Sequence, residues 1–584
     1  MKTNIYHTHH CCDLDITKVG EYITVSGWVE RVRDHGGVLF LDLRDTTETL
    51  QIVSHDDSIF KKLTKESVIK VSGTIRKRDE ETYNPKLKTG EIELLVDKLE
   101  VLGKAISDLP FEISSSTQVK EDVRLKYRYL DMRNKKVKDK LSLRSEILHY
   151  LRCKMHDKEF TEIQTPILTA SSPEGARDFV VPSRLFKGKF YALPQAPQIY
   201  KQLLMVGGFE KYFQIAPCFR DEDARADRTL EFYQLDLEMS FVTEEEILSL
   251  GEEIFYDTFT KFSDKKVSIR PFKRLTYKDA IDMYGTDKPD LRNPLIIKDA
   301  TDVLKDTTFS PFKKSTIKVI VVDDIGDKSN SWFNEIVDYA TSIGMPGIGY
   351  ITLLEDGTLK GPIDKFLSQE ERSTLIKKFA MKPKSVMFFI ANRSRKIAEK
   401  YAGLIRMELG RKCKLIDEDR LELCIVKDFP MFEYDESTKK YEFCHNPFSM
   451  PHGGIEAYSK ESIDEILAHQ FDFVCNGYEM ASGAIRNHDL DCLLKGFETV
   501  GYTKEEVETK FKSIFTAFKY GAPPHGGMAP GIDRIIMLIT DEPNLREVQA
   551  FPTSASGFDH MMSSPSTLTS LQLKELGIEI KEQV

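Results

Sequence analysis

Two short strings, Phe219-Arg220-Asp221-Glu222 and Gly531-Ile532-Asp533-Arg534, each set an arginine beside acidic residues at the edge of an apolar run. Arginine carries a rigid fork of N–H donors. Two such forks among carboxylates suit a triphosphate and its magnesium better than a simple salt bridge. Either string alone is weak, since Arg-x-Glu arises by chance in any charged protein. If both serve one site, the fold must bring distant parts of the chain together.

What lies between them supports that demand. Residues 286–425 change character: strands at Ile317 to Val322, Gly349 to Leu354 and Ser385 to Ile390 alternate with helical stretches. Ser368 and Glu371 have capping-box spacing at the start of one helix. This reads as a self-contained α+β unit inserted into one catalytic domain.

Before them, residues 20–104 read as five short strands: Tyr22 to Trp28, Val38 to Leu43, Leu50 to Val53, Val68 to Ile75 and Ile92 to Val101. That pattern predicts a small barrel of the oligonucleotide-binding kind. Arg31, Arg33, Arg44, Lys70, Arg76, Lys77 and Arg78 accompany Phe40 there. Cations for phosphates and an aromatic for stacking suit single-stranded nucleic acid. From pattern alone, Phe40 serves equally well as a core residue of an alternating strand. Ile106 to Lys138 reads as a polar, charged connection. A helix follows from about Asp139 to His156, with Leu141, Leu148, Leu151 and Met155 on one face. Phe160 to Leu168 then enters a strand bent at Pro166, and Phe190 to Leu193, Tyr212 to Ile215 and Phe232 to Phe241 read as further strands.

In Phe471 to Met480, Asn476-Gly477 between two apolar runs is a strong hairpin signal. A two-residue turn pairs Cys475 with Tyr478 and Val474 with Glu479. Asp472 then shares the face of Glu479. Two carboxylates so placed repel unless a cation sits between them, which predicts magnesium; the bland alternative is a solvent-facing acidic pair.

At roughly 100–200 residues per domain, 584 residues imply three or four domains. The net charge of −10 argues against indiscriminate nucleic-acid binding, although a local basic face is enough to track RNA. No apolar run reaches transmembrane length, and Met1 to Asp13 lacks a signal-peptide core. Nine cysteines without a paired framework read as reduced thiols of a cytoplasmic protein. His9, His10, Cys11 and Cys12 are too crowded to close one tetrahedron and read as a partly ordered arm.

Assembled, these pieces resemble a bacterial-type aspartyl-tRNA synthetase, of class II, along essentially the whole chain. Pro166 sits where that family has its dimer-forming motif 1. Phe219 to Glu222 through Asp236-Leu237-Glu238 resembles motif 2, and Gly526 to Arg534 resembles motif 3. Pro173 to Asp178 and Leu193 to Gln202 match the flipping loop and amino-acid pocket of the subgroup. The resemblance implies a multidomain α+β fold. An OB-fold anticodon-binding barrel spans 1–105, a hinge 106–138, and a class II antiparallel-sheet core 139–285 and 426–584, with a C-terminal extension. The insertion at 286–425 resembles a module shared with the bacterial amidotransferase B subunit.

The resemblance also implies chemistry. The α-carboxylate of L-aspartate attacks the α-phosphorus of ATP, pyrophosphate leaves, and the terminal ribose hydroxyl of tRNA then attacks the mixed anhydride. Arg220 holds the α-phosphate and the reacting carboxylate, Arg534 clamps the γ-phosphate, and Glu222 reads the adenine amino group. Asp221, Glu479, Gly531, Ile532 and Asp533 also lie around ATP, and Asp472 with Glu479 carries Mg2+. Lys201 and Arg486 bind the side-chain carboxylate of aspartate. Glu174, Gln198 and Asp236 surround its ammonium, and His445 lies on a substrate-facing loop. Hairpin parity does not put Arg486 on the Glu479 face; a bulge at Ala481-Ser482-Gly483 would restore it.

Ala196, Thr229 and Asn446 depart from the usual serine, glutamine and histidine, which leaves the charged groups of the mechanism intact. In the barrel, Arg33, Phe40, Gln51, Arg78 and Glu93 match positions that contact anticodon bases. His35 with Gly36-Gly37 resembles members that charge tRNA(Asn) as well as tRNA(Asp), whereas Glu81 fits neither the relaxed nor the strict type. The expected assembly is a homodimer with no membrane attachment. The alternatives are a strict enzyme for tRNA(Asp) and a catalytically silent RNA-binding paralogue.

Overall fold

Alternating apolar residues close the N-terminal barrel. Its strands are β1 (Tyr22–His35), β2 (Val38–Arg44), β3 (Thr49–Ser54), β4 (Val68–Lys77) and β5 (Ile92–Gly103), in the closed order β1-β2-β3-β5-β4. Ile23, Val25, Leu39, Leu41, Leu43, Leu50, Ile52, Ile69, Val71, Ile92 and Leu94 form its core. The computed structural model describes residues 4–35, 38–56, 58–60, 63–171, 176–460 and 462–581. It divides into two units, Met1–Ser116 and Thr117–Val584. The N-terminal arm, expected to be partly ordered, instead buries Cys11 and Leu14 in the barrel core. The Cys11 backbone N–H donates to Asp45 at 2.8 Å. A small apolar thiol is worth burying, and that fixes the arm.

The second unit is built on an eight-stranded sheet. Its strands are β6 (Thr161–Glu162), β7 (Lys211–Phe219), β8 (Glu231–Ser240), β9 (Lys273–Thr276), β10 (Leu423–Pro430), β11 (Leu467–Cys475), β12 (Tyr478–Ile485) and β13 (His525–Pro530). The order is β9-β10-β11-β12-β13-β8-β7-β6. The sheet is antiparallel through its middle, as the resemblance implies, with one parallel pairing at each edge. The helices that position the site are α1 (Lys135–Asp157), α2 (Gln198–Val206), α3 (Glu244–Phe262), α4 (Tyr277–Tyr284), α5 (Arg395–Lys412) and α6 (Ile532–Ile539).

Helices α1, α3 and α6 cover one sheet face. Ile147, Leu151, Ile254, Phe255, Ile535 and Ile536 meet Phe213, Leu235, Phe471, Phe473 and Met528. The strand period of two then turns Gln470 and Asp472 to the opposite face. A capping box of Thr243 and Glu246 starts α3, and its acidic first turn complements the helix dipole.

The inserted sheet runs Ile297–Asp299, Thr316–Val322, Val386–Asn392, Gly349–Leu353, Leu359–Lys360, all antiparallel. Its central run is apolar without alternation because both faces are covered. Val386, Phe388 and Ile390 face one core, and Met387 and Phe389 face the other. Ser368 and Glu371 form the expected capping box.

Residues 117–134 differ from the polar connection read from the sequence. Short helices there bury Arg124, Arg128 and Asp131. Arg124 pairs with Glu547 at 2.7 Å and with Asp131 at 3.0 Å, so these charges bind the segment to the catalytic unit rather than to water. Among the described residues no helix is long and apolar enough to cross a membrane.

Gly251 sets how closely α3 approaches the sheet. A Cβ there would lie 2.3 Å from Phe473 Cζ and 3.1 Å from Met528 Sδ. Gly251→Ala gains about 1 kcal/mol of helix propensity and loses about 1–3 kcal/mol to overpacking. A lower thermal midpoint for the variant is expected; a higher one would mean that Phe473 yields freely.

Candidate active site

The face opposite α1, α3 and α6 floors a cavity of about 480 Å³. β8 contributes Gln234 and Asp236, β11 contributes Gln470 and Asp472, and β12 contributes Ser482 and Ala484, followed by Arg486. Helix α2 adds Gln198 and Lys201. The hairpin turn pairs Cys475 with Tyr478 and Val474 with Glu479, as expected. Phe473 then pairs with Ala481, leaving Met480 as an extra residue in the ladder. This bulge lies one residue ahead of the stretch where the sequence reading would place it. It turns the Met480 side chain into the helix-side core and shifts parity, so that Glu479 and Arg486 both line the cavity.

At one end of the cavity four charged side chains form a buried network. Lys201 Nζ lies 2.7 Å from Asp236 and 3.4 Å from Glu238. Arg486 meets Glu238 through Nε at 2.8 Å and Nη2 at 3.1 Å. Burial would raise the Glu238 carboxyl, but Arg486 and Lys201 outweigh it and hold Glu238 below the usual carboxylate range. Burial wins at Asp236, whose carboxyl is raised despite Lys201. Asp236 Oδ2 has no hydrogen-bond partner. An isolated buried acceptor beside two cations is suited to a ligand that carries both an ammonium and a carboxylate.

At the other end, Arg534 donates to the Glu479 carbonyl at 2.6 Å and approaches the Glu479 carboxylate at 3.8 Å and Asp227 at 3.6 Å. Arg220 lies with its guanidinium 5.0 Å from the Phe232 ring centre, and its Nε is buried without a partner. Glu222 pairs with Arg228 at 3.1 Å. Lys288 Nζ lies between the two carboxylates, 3.4 Å from Glu479 and 3.8 Å from Asp472. Burial and the neighbouring Glu479 push the Asp472 carboxyl up. Burial also acts on Glu479, where Lys288 and Arg534 more than offset it and hold that carboxyl low. Asp472 Oδ1 is buried without a partner, and the pair converges on one cationic position. This donor set fits a divalent cation.

The cavity thus brings together Gln198, Lys201, Arg220, Glu222, Asp236, His445, Asp472, Glu479, Arg486, Gly531, Asp533 and Arg534. Some candidates turn their side chains to other partners. Ile532 packs its side chain into the apolar core, because it starts the buried face of α6. Asp533 touches the cavity, but its carboxylate is held by Arg144, the Tyr233 N–H at 3.2 Å and Gln549 at 3.2 Å. Asp221 lines a neighbouring opening with Arg177, Arg225 and Arg228. Glu174 lies outside the described residues. Sequence reasoning missed Glu238 and Lys288. The alternation Asp236-Leu237-Glu238 carried a signal for Glu238, since both acids must share a face. Lys288 sits in a polar stretch that carries none.

The barrel presents a site of its own. Phe40 is absent from the barrel core; Leu39 and Leu41, its neighbours on β2, fill that core, and Phe40 pairs across the sheet with Arg33. On the same outer face Arg33 meets Asp42 at 2.5 Å and Gln51 at 3.4 Å. Gln51 donates to Glu93 at 2.7 Å, and Arg76 pairs with Glu93 at 2.7 Å. Burial followed by the nearby Arg33 lowers the Arg78 guanidinium despite Glu93. An aromatic among networked cations and amide groups is a surface for bases and phosphates. The side chain of His35, with Gly36 and Gly37, lies outside the described residues.

The family of class II tRNA synthetases (D, K and N) matches residues 120–555, and the OB-fold nucleic acid binding domain matches 23–102. The Aspartate–tRNA(Asp/Asn) ligase of Anaplasma phagocytophilum (strain HZ) is 49% identical over 99% of this chain and 98% of its own. That of Rickettsia akari (strain Hartford) is 48% identical over 98% and 97%. In fold, the chain resembles an aspartyl tRNA synthetase from Entamoeba histolytica, with TM-score 0.56 and 20% identity, covering 93% of this chain and 91% of that one. It also resembles an asparaginyl-tRNA synthetase from Pyrococcus horikoshii, with TM-score 0.56 and 19% identity, covering 93% and 97%. A family match that runs through both arginine strings, together with near-half identity over the whole length, places the chain among the class II tRNA synthetases of the D, K and N type.

Proposed function

We propose that this protein is an aspartate–tRNA ligase that charges both tRNA(Asp) and tRNA(Asn). The observation that carries the reading is the buried network of Lys201, Asp236, Glu238 and Arg486 at one end of the cavity, facing Arg220 and Arg534 at the other. Lys201 and Arg486 take the side-chain carboxylate of L-aspartate, and the open Asp236 oxygen takes its ammonium. An amide in place of that carboxylate leaves buried cations short of charge, so asparagine is rejected.

Arg220 steadies the α-phosphate of ATP and the attacking α-carboxylate, and Arg534 holds the γ-phosphate. The carboxylate oxygen bonds to the α-phosphorus as the bond to the bridging oxygen breaks and pyrophosphate leaves. Positioning and charge neutralisation in a preorganised site carry the step. Asp472 and Glu479 would hold Mg2+, which neutralises phosphate charge when bound. Glu222 reads the adenine amino group, and His445 and Gln198 border the amino acid. The adenylate then passes to the terminal ribose hydroxyl of tRNA. The outer barrel face of Arg33, Phe40, Gln51, Arg78 and Glu93 reads the anticodon. The anticodons G-U-C and G-U-U differ only in the last letter, and the His35 loop tolerates either. Relatives whose name specifies both tRNAs support this specificity. The enzyme acts in the cytoplasm as a homodimer joined through the motif 1 region around Pro166.

Aspartylation of purified tRNA(Asp) and tRNA(Asn), assayed separately, should give efficiencies within about tenfold, a gap of roughly 1.4 kcal/mol. Failure to charge tRNA(Asn) would make the enzyme strict. Arg534→Ala should slow aspartate-dependent ATP–pyrophosphate exchange roughly a hundredfold, equivalent to about 3 kcal/mol, with tRNA affinity retained. Wild-type exchange in that variant would refute the phosphate clamp. Phe40→Ala should weaken tRNA binding by about 1–3 kcal/mol and leave amino-acid activation unchanged. Parallel loss of both activities would mean that Phe40 supports the fold instead.

A further inference from the structure

Neither arginine string accounts for Lys288. Its ammonium is 3.4 Å from Glu479 and 3.8 Å from Asp472, and it also bonds Asp287. It occupies the position where a cation is needed between the two carboxylates. The lysine comes from the segment that leads from α4 into the inserted domain, and that segment is fastened on both sides. Gly285 caps α4 at φ 72°, and a Cβ there would lie 2.4 Å from the Glu399 carbonyl oxygen of α5. Beyond Lys288, the fully buried Arg406 of α5 donates to the carbonyls of Asp290 at 3.0 Å, Asn293 at 2.5 Å and Leu295 at 2.6 Å. Its guanidinium also lies 4.9 Å from the Tyr284 ring centre. The backbone that carries Lys288 is therefore held by the insertion, and its ammonium is held by ion pairs with Asp287, Glu479 and Asp472.

Magnesium binds carboxylate oxygens at about 2.0–2.1 Å and demands near-octahedral geometry. An ammonium 3.4 Å from one of these carboxylates and 3.8 Å from the other takes up that space and repels the ion. We propose that Lys288 is an internal counter-cation of the Asp472–Glu479 pair, held in place by the inserted domain, and that a divalent metal binds only by displacing it. The proposal rests on the reading of that pair as metal ligands. The displaced ammonium needs an anion, and a triphosphate arriving with the metal supplies one. The metal site is thereby closed to free metal and opened by the metal–nucleotide complex.

The test titrates MnCl2 into the full-length protein and follows free Mn2+ by electron paramagnetic resonance, with and without a non-hydrolysable ATP analogue. Asp472→Asn defines the site as the binding that this change removes. Without nucleotide, Lys288→Met should raise that Mn2+ affinity at least tenfold, and Lys288→Arg should leave it near wild type. Unchanged or weaker binding in Lys288→Met, with site binding still present under the analogue, overturns the proposal alone. Mn2+ binding that ignores Asp472→Asn even with the analogue refutes the metal reading and the proposal with it. If circular dichroism shows that Lys288→Met does not fold, Lys288→Gln replaces it, with the same outcomes deciding.

Discussion

One extra residue in the β11–β12 ladder organises the catalytic unit. Without the bulge at Met480, strict alternation would send either Glu479 or Arg486 into the helix-side core. A guanidinium or carboxylate stranded among Phe255, Phe471 and Ile536 would cost several kcal/mol. With it, Met480 fills apolar space while both charges line the cavity. The two ends of the cavity, the network around Lys201 and Arg486 and the cluster around Glu479 and Arg534, are joined by a single strand whose parity changes once along its length.

That arrangement commits the protein to buried charge. Lys201, Asp236, Glu238 and Arg486 are each at most 3% exposed. Networks of this kind contribute little net stability, because desolvation consumes most of the Coulomb gain. Their value lies in fixed geometry: each ion is oriented by a neighbour before substrate arrives. The same logic recurs away from the cavity. Lys318, at 1% exposure, is shared by Asp282 at 3.2 Å, Asp299 at 3.3 Å and Glu399 at 3.3 Å, and so ties α4 to the inserted sheet.

Local signals with a short physical range were readable in the sequence. Asn476-Gly477 fixed the hairpin, short apolar runs punctuated by glycines located the five barrel strands, and the run at Ser385 to Ile390 marked a strand of the insertion. The meeting of Arg220 and Arg534 followed from residue chemistry and family resemblance together. What escaped depends on contacts between distant segments. Met480 carries no mark of a bulge, since neither glycine nor proline is needed there. Residues 117–134 looked solvated because buried and exposed charges are identical in sequence; partners far downstream, Glu547 and the carbonyls of Gln549 and Ala550, distinguish them. Lys288 likewise acquires meaning only from Asp472 and Glu479.

The pairing of β8 with β13 has a consequence for biosynthesis. Leu237 lies beside Met528 and Glu238 beside Gly527, so the central ladder joins residues that leave the ribosome far apart in time. The barrel has already emerged and the insertion is being made, each with a core of its own, while β6, β7 and β8 wait as a half-sheet whose β8 edge is open. An unpaired edge backed by Leu235 and Leu237 is a template for wrong pairing. Translation from the end of β8 to β13 is therefore the interval in which the nascent chain most needs protection from aggregation.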